Sequence, residues 1–257
     1  MPETVTRYPL RAVVAFICAL VVLSGAAYVV QQSLYARPPM LDLTPTRTEQ
    51  PPPDIAPAPV VGAVAAPGSD VPAIDEGWLQ RNAAASGVPE IALRAYARAE
   101  LQAPSGCGIG WTTLAGIGWI ESQHGTLGGR TLEPDGRSSS PILGPALDGT
   151  GDFAAIRATA QSQLWHGDAT WDHAFGPMQF ISSTWADWQS DGDGDGVADP
   201  NDIDDAALAA ARYLCAGGRD LTSGSGWTSA VLSYNNARVY LEDVHAAATT
   251  YAERSAA

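Results

Sequence analysis

From Ala12 to Val30 the chain reads AVVAFICALVVLSGAAYVV, without a single charged residue. No other stretch restricts the architecture so strongly, because about 19 consecutive apolar residues are enough to cross a bilayer as a helix. The run also exceeds the ~7–15-residue apolar core usual in a cleaved signal peptide. Arg7 and Arg11 precede it, as a cytoplasmic flank requires. The expectation is a cytoplasmic tail and single-pass transmembrane helix over residues 1–31, with the remainder on the outer side of the cell membrane. Cleavage near Gly25–Ala27 would make the same run a signal peptide. Cys18 lies within the run behind a bulky Ile17, a context that does not suit lipidation.

Residues 32–73 are rich in Pro and Ala, including Pro51-Pro52-Pro53 and Ala56-Pro57-Ala58-Pro59. Such a composition favours extended polyproline II and cannot bury a core, so it reads as a flexible linker. Residues 74–257 are left for one globular domain. Within it, 89–100 places Leu93, Tyr96 and Ala97 at helical spacing, and Leu101 continues that face. Further helices are expected at about 111–123, at 183–189 from a Ser/Thr cap, at 206–215 behind Asp204 and Asp205, and at 239–254. Period-two alternation is scarce. The fold class is therefore mainly α, with room for short strands in the Gly-rich stretch 125–151.

The chain carries a formal charge of −14 and all of its basic residues are Arg. That balance argues against nucleic acid or an anionic surface as partner, since both demand basic clusters. A neutral polymer such as a glycan suits it better. With Cys18 in the apolar run, Cys107 and Cys215 remain as a candidate disulfide in an oxidising compartment; two buried free thiols are the alternative.

The segment DGDGDGVADPND (Asp191–Asp202) fits the spacing of a calcium loop. Asp191, Asp193 and Asp195 fall at positions one, three and five, and Gly196 at the sharp turn. The Val197 carbonyl takes the seventh position, Asp199 the ninth and Asp202 the twelfth. The expected ion is a structural calcium; a solvated acidic turn is the plain alternative. No cofactor is expected for catalysis. The histidines His124, His166, His173 and His245 show no metal-ligand spacing and are expected at the surface, with contact to substrate as the alternative for His124, which is near Glu121 in sequence. Of Trp165, Trp171, Trp185, Trp188 and Trp227, most are expected in the core and one or two on a cleft.

Three blocks carry the chemistry: GIGWIESQHG (Gly116–Gly125), AFGPMQFISSTW (Ala174–Trp185) and LSYNNARVY (Leu232–Tyr240). Helical spacing sets Glu121 above Ile117 and Leu114 on the inward face of an apolar helix. A carboxyl held there loses solvation and its pKa rises, as a general acid near neutral pH requires. A cap or salt bridge at the helix end is the competing reading.

In this order, with the aspartate loop after the second, the blocks resemble the B-type lytic murein transglycosylases of the lysozyme-like group, in their actinobacterial form. The resemblance spans roughly residues 89–257. It implies a lysozyme-like α+β fold, with Glu121 as the single catalytic acid and base beside Ser122. It implies substrate contacts from Ser122, Gln179, Tyr234 and Asn235, and a further cleft aromatic in Tyr240. Ser182 and Ala237 depart from the family pattern, the latter by lacking a hydroxyl. The implied substrate is peptidoglycan, cut between N-acetylmuramic acid and N-acetylglucosamine with closure of a 1,6-anhydro ring. Two alternatives are a hydrolysing muramidase, for which Asp148 or Asp172 would serve as second carboxylate, and a non-catalytic, calcium-stabilised glycan-binding or scaffold module. Protein partners are not legible.

Overall fold

The computed structural model describes residues 52–53, 58–62, 71–151 and 154–256, all within one compact unit, Glu49–Ala257. The expected anchor, and much of the linker, lie outside the described residues. Among those that are described, no helix is long and apolar enough to cross a membrane.

The elements run α1 (Glu76–Ser86), α2 (Glu90–Gln102), α3 (Trp111–Ser122), β1 (Leu143–Ala146), α4 (Ser162–His166), β2 (His173–Phe175), α5 (Ser182–Trp188), α6 (Ile203–Leu214), α7 (Gly224–Tyr234) and α8 (Arg238–Ser255). The described domain is mainly α, as expected, with one small sheet. That sheet pairs β1 and β2 antiparallel, Leu143 opposite Phe175 and Ala146 opposite His173, with an irregularity between them.

Helix α3 forms the axis. Its sequence is apolar on every side, and every residue from Trp111 to Gly118 is buried, as an interior helix requires. Two glycines let its neighbours approach. A Cβ on Gly116 would lie 2.9 Å from the Val244 carbonyl oxygen of α8, and one on Gly118 would occupy the place of the Tyr96 hydroxyl of α2. Beside this axis α2 packs on α6 through short side chains. Ala92, Ala95 and Ala99 on one helix and Ala206, Ala207 and Ala210 on the other are all fully buried, which allows close helix axes. The Cys107–Cys215 disulfide joins the loop before α3 to the end of α6, which settles the cysteine alternatives.

Several local expectations change. Helix α1 was not expected, because Trp78 and Leu79 are its only large apolar residues. It starts nonetheless from an Asp75 cap, which accepts the Trp78 N–H at 2.7 Å, and ends at Gly87 with φ 81°. Helix α7 opens on Gly-Ser-Gly, poor helix formers, and is held by burial of Trp227, Ala230 and Val231. Helix α5 begins at Ser182 with Ile181 at its cap and no side-chain cap bond, because the Ser182 hydroxyl donates to Asp172 instead. Helix α6 begins at Ile203, and Asp202 caps it by accepting the Asp204 N–H at 2.9 Å. The linker's described end is not free. The Gly62 N–H donates to the Ala73 carbonyl and the Asp75 N–H to the Val60 carbonyl, both at 2.8 Å, so it forms an edge pairing at the start of the domain.

Gly118→Ala should lower stability by roughly 1–3 kcal/mol through overpacking against Tyr96. Urea denaturation checks this, with the midpoint falling and the slope unchanged.

Candidate active site

The last turn of α3 carries Glu121, and the two residues after the helix hold that turn in place. The chain leaves α3 through Gln123 (φ 53°) and His124 (φ 60°), a left-handed pair that non-glycine residues adopt only when their surroundings compensate. His124 supplies compensation. It is buried, with Nδ1 3.1 Å from the Tyr96 hydroxyl of α2 and Nε2 2.9 Å from the Tyr251 hydroxyl of α8. Burial drives its pKa down to about 4, so the ring is neutral, with one nitrogen donating and the other accepting. The expectation of a surface histidine fails here, and also at His166, because both rings have buried hydrogen-bond partners.

Glu121 itself is half-buried, above the fully buried Ile117 and Leu114. Its Oε1 accepts the Tyr240 hydroxyl at 2.5 Å. Burial raises the carboxyl pKa to about 7, an effect the Tyr240 bond partly offsets. Burial, and then the charge of Glu121, push the Tyr240 phenol well above its ordinary range, so at neutral pH it is a donor.

The third block meets this carboxyl through Tyr240, and the second joins the third through the Met178 carbonyl. Tyr234 stacks on Tyr240 with centroids 6.5 Å apart and planes 6° from parallel, and its hydroxyl donates to the Met178 carbonyl at 2.7 Å. The next residue, Gln179, sits at φ 50° and donates from Nε2 to the Gly176 carbonyl at 2.8 Å. Gly144 on β1 leaves room for its amide oxygen, since a Cβ there would lie 3.0 Å from it. Asn235 closes α7 with its N–H on the Val231 carbonyl at 3.1 Å and exposes its side chain.

Ser122 is a correction. It is buried, donates to the Pro177 carbonyl at 2.6 Å and accepts the Gly125 N–H at 2.8 Å. Its hydroxyl therefore ties α3 to the Gly176–Phe180 turn and is not presented to a substrate.

Neither candidate second carboxylate faces Glu121. Asp172 is buried and accepts from Ser182 and from His166 Nε2 at 3.0 Å; the Asp168 N–H on His166 Nδ1 fixes that tautomer. Asp148 is exposed and closes its own turn by accepting the Thr150 N–H and hydroxyl, which lower its pKa. A half-buried carboxyl that sequence reasoning missed is Glu100. Burial raises its pKa to about 7, and it accepts the Trp111 N–H at 2.6 Å, capping the opposite end of α3. An E-x9-G-W spacing carries no helix-cap signal, because the cap comes from a different helix.

In the aspartate loop, carboxylate oxygens of Asp191, Asp193 and Asp205 lie within 4.8 Å of one another. Asp205 lies beyond the twelfth position of the loop pattern. Asp202 is instead the α6 cap and Asp199 pairs with Arg137 at 3.0 Å, while Asp195 accepts the Val197 N–H. Val197 is exposed. Asp205 also accepts the Gly192 and Asp199 N–H groups, at 2.6 and 2.8 Å, and so holds the loop against α6. Burial, with lesser repulsion from Asp193 and Asp191, raises its pKa to about 7.

Among the tryptophans, Trp185 and Trp227 are fully buried, and Trp165 and Trp188 pack against the core. Trp171 carries the Arg157 guanidinium 3.9 Å above its ring. The exposed indole nearest Glu121 in the chain is Trp119, which was not among those expected on a cleft.

No protein family and no curated protein matches this chain. Among solved structures, it is similar to the Escherichia coli lytic transglycosylase Slt35 in complex with bulgecin A, at 15% identity and a TM-score of 0.43, over 72% of this chain and 76% of that one.

A carboxyl whose folded pKa is raised from 4.5 to about 7 contributes stability below pH 4.5 that is lost as pH rises through 7. Glu121→Gln should therefore be more stable than the parent at pH 8, with the difference fading as pH falls toward 4.5. Thermal melts across that range check it.

Proposed function

We propose that the chain is a lytic transglycosylase of the cell wall, with Glu121 as its acid and then its base. The observation that carries this reading is a single carboxyl, poised near neutral pH at the end of a rigid apolar helix and addressed by one tyrosine. Because Tyr240 donates to Oε1, the acidic proton of Glu121 belongs on Oε2, free to meet a glycosidic oxygen. Glu121 gives that proton to the oxygen linking N-acetylmuramic acid to N-acetylglucosamine, and the glycosidic bond breaks. The N-acetyl carbonyl of the muramic residue bonds to the anomeric carbon from the opposite face. Glu121, now a carboxylate, removes the proton of the 6-hydroxyl, whose oxygen displaces the carbonyl and closes the anhydro ring. No water is consumed.

Ordinary glycosidases need two carboxylates at a set separation. Sequestration of Asp172 and the turn-bound state of Asp148 favour the substrate-assisted route over hydrolysis. The membrane anchor belongs to the same proposal, and the Cys107–Cys215 bridge agrees with an oxidising exterior.

The activity is tested by mass spectrometry of sugars released from purified peptidoglycan by the full chain. Anhydro-muramic ends are expected, falling roughly 10²–10⁴-fold in Glu121→Gln. Reducing ends would instead assign a muramidase, and an absence of products a glycan-binding module.

A structural calcium is part of the reading. The hard oxygen donors of Asp191, Asp193 and Asp205 fit it, and their mutual repulsion would fall on binding. Calcium should raise the melting temperature and a chelator lower it. Asp205→Asn should remove that response, whereas Asp195→Asn should leave most of it.

A further inference from the structure

The catalytic reading leaves an exposed indole unexplained. Trp119 is 44% exposed and its neighbour Ile120 36%, on an otherwise buried helix. Two residues along a helix is about 200° of rotation, so Trp119 points away from Glu121. It lines a groove of about 550 Å³ between the end of α3 and α8, which Gly87 after α1 also lines. That volume is in the range of small-ligand sites.

We infer that this groove is a second glycan-binding site, which holds the polymer while the cleft at Glu121 acts on it. Three features support a sugar as its occupant. The indole is preset: its ring lies 5.7 Å from His124, which both Tyr96 and Tyr251 clamp. A platform fixed in advance loses little freedom on binding, and an aromatic face suits the C–H face of a pyranose. The wall on α8 offers a carboxylate from Asp243, a guanidinium from Arg254 and the acceptor lone pairs of the Thr250 hydroxyl, whose proton goes to the Ala246 carbonyl at 2.8 Å. These groups match sugar hydroxyls, and their charges balance, which suits a neutral ligand. Arg254 is held by a 3.1 Å bond from Nη1 to the Ser86 carbonyl and keeps its other donors for the groove. Finally, Trp119 and Ile120, with only Ala246, Ala247 and Tyr251 beside them, make too small an apolar surface for a protein interface, which buries about 1,600 Å² around several anchors.

The inference shares a glycan ligand with the proposed function but stands on other residues. It is tested on the full chain in detergent, in a Glu121→Gln background, by co-sedimentation with purified peptidoglycan sacculi. Adding Trp119→Ala should weaken binding about fivefold, the effect of one aromatic contact, and Trp119→Phe should restore most of it. Asp243→Ala, an exposed change, should weaken binding with the melting temperature unchanged. With Glu121 intact, Asp243→Ala, which leaves the His124 contacts in place, should still cut a soluble tetrasaccharide at the parent rate. Undiminished sedimentation of both alanine variants would overturn the inference, as would Trp119-dependent retention of a wall protein that survives digestion of the glycan. If the parent cuts nothing yet Trp119 still governs sedimentation, the catalytic reading falls and this one stands.

Discussion

Burial of a neutral histidine beneath the end of α3 is the contact on which the rest of the site depends. His124 takes one hydroxyl from α2 and one from α8, and thereby fixes where the central helix stops. Glycine at position 118 makes room for the first of these hydroxyls, and glycine at 116 lets α8 cross close enough to deliver the second. With the helix end fixed, Glu121 can be held among apolar neighbours and still meet Tyr240 at hydrogen-bond distance. A charged imidazole would unbalance this arrangement, since it has two donors and no acceptor. Burial keeps the ring neutral, so the support does not change state across the range in which Glu121 titrates.

The helical class, α3 and α8 were legible because their apolar spacing is repeated over several turns. The convergence of the three blocks was legible as resemblance, and hydrogen bonds between them give it geometry. Elements that depend on partners distant in sequence were not legible. Helix α7 begins with residues that disfavour a helix and exists because Trp227 and Val231 find a core. Glu100 caps a helix it does not belong to, and Asp205 reaches back to the aspartate loop from the following helix. Ser122 sits beside the key carboxyl in sequence, yet helical rotation turns it inward to the Pro177 carbonyl. Adjacency along the chain says little about which face a side chain occupies.

The aspartate loop and the acid lie on separate elements but share a frame. Asp205 belongs to α6, which packs against α2; α2 supplies Tyr96 to the His124 clamp. The loop's geometry therefore bears on the Glu121 end of α3 through packed helices.

The disulfide has a consequence for endurance when the backbone is cut. Cys107 and Cys215 are 108 residues apart, and the long irregular stretches around β1 and β2, together with the aspartate loop, lie between them. Irregular, partly exposed backbone of this kind is where proteolytic cuts concentrate. One cut anywhere inside the span leaves a two-chain molecule whose halves stay covalently joined, with Glu121 and Gln179 both enclosed by the ring. Such a molecule tolerates wear: it can be nicked and still keep its working parts together.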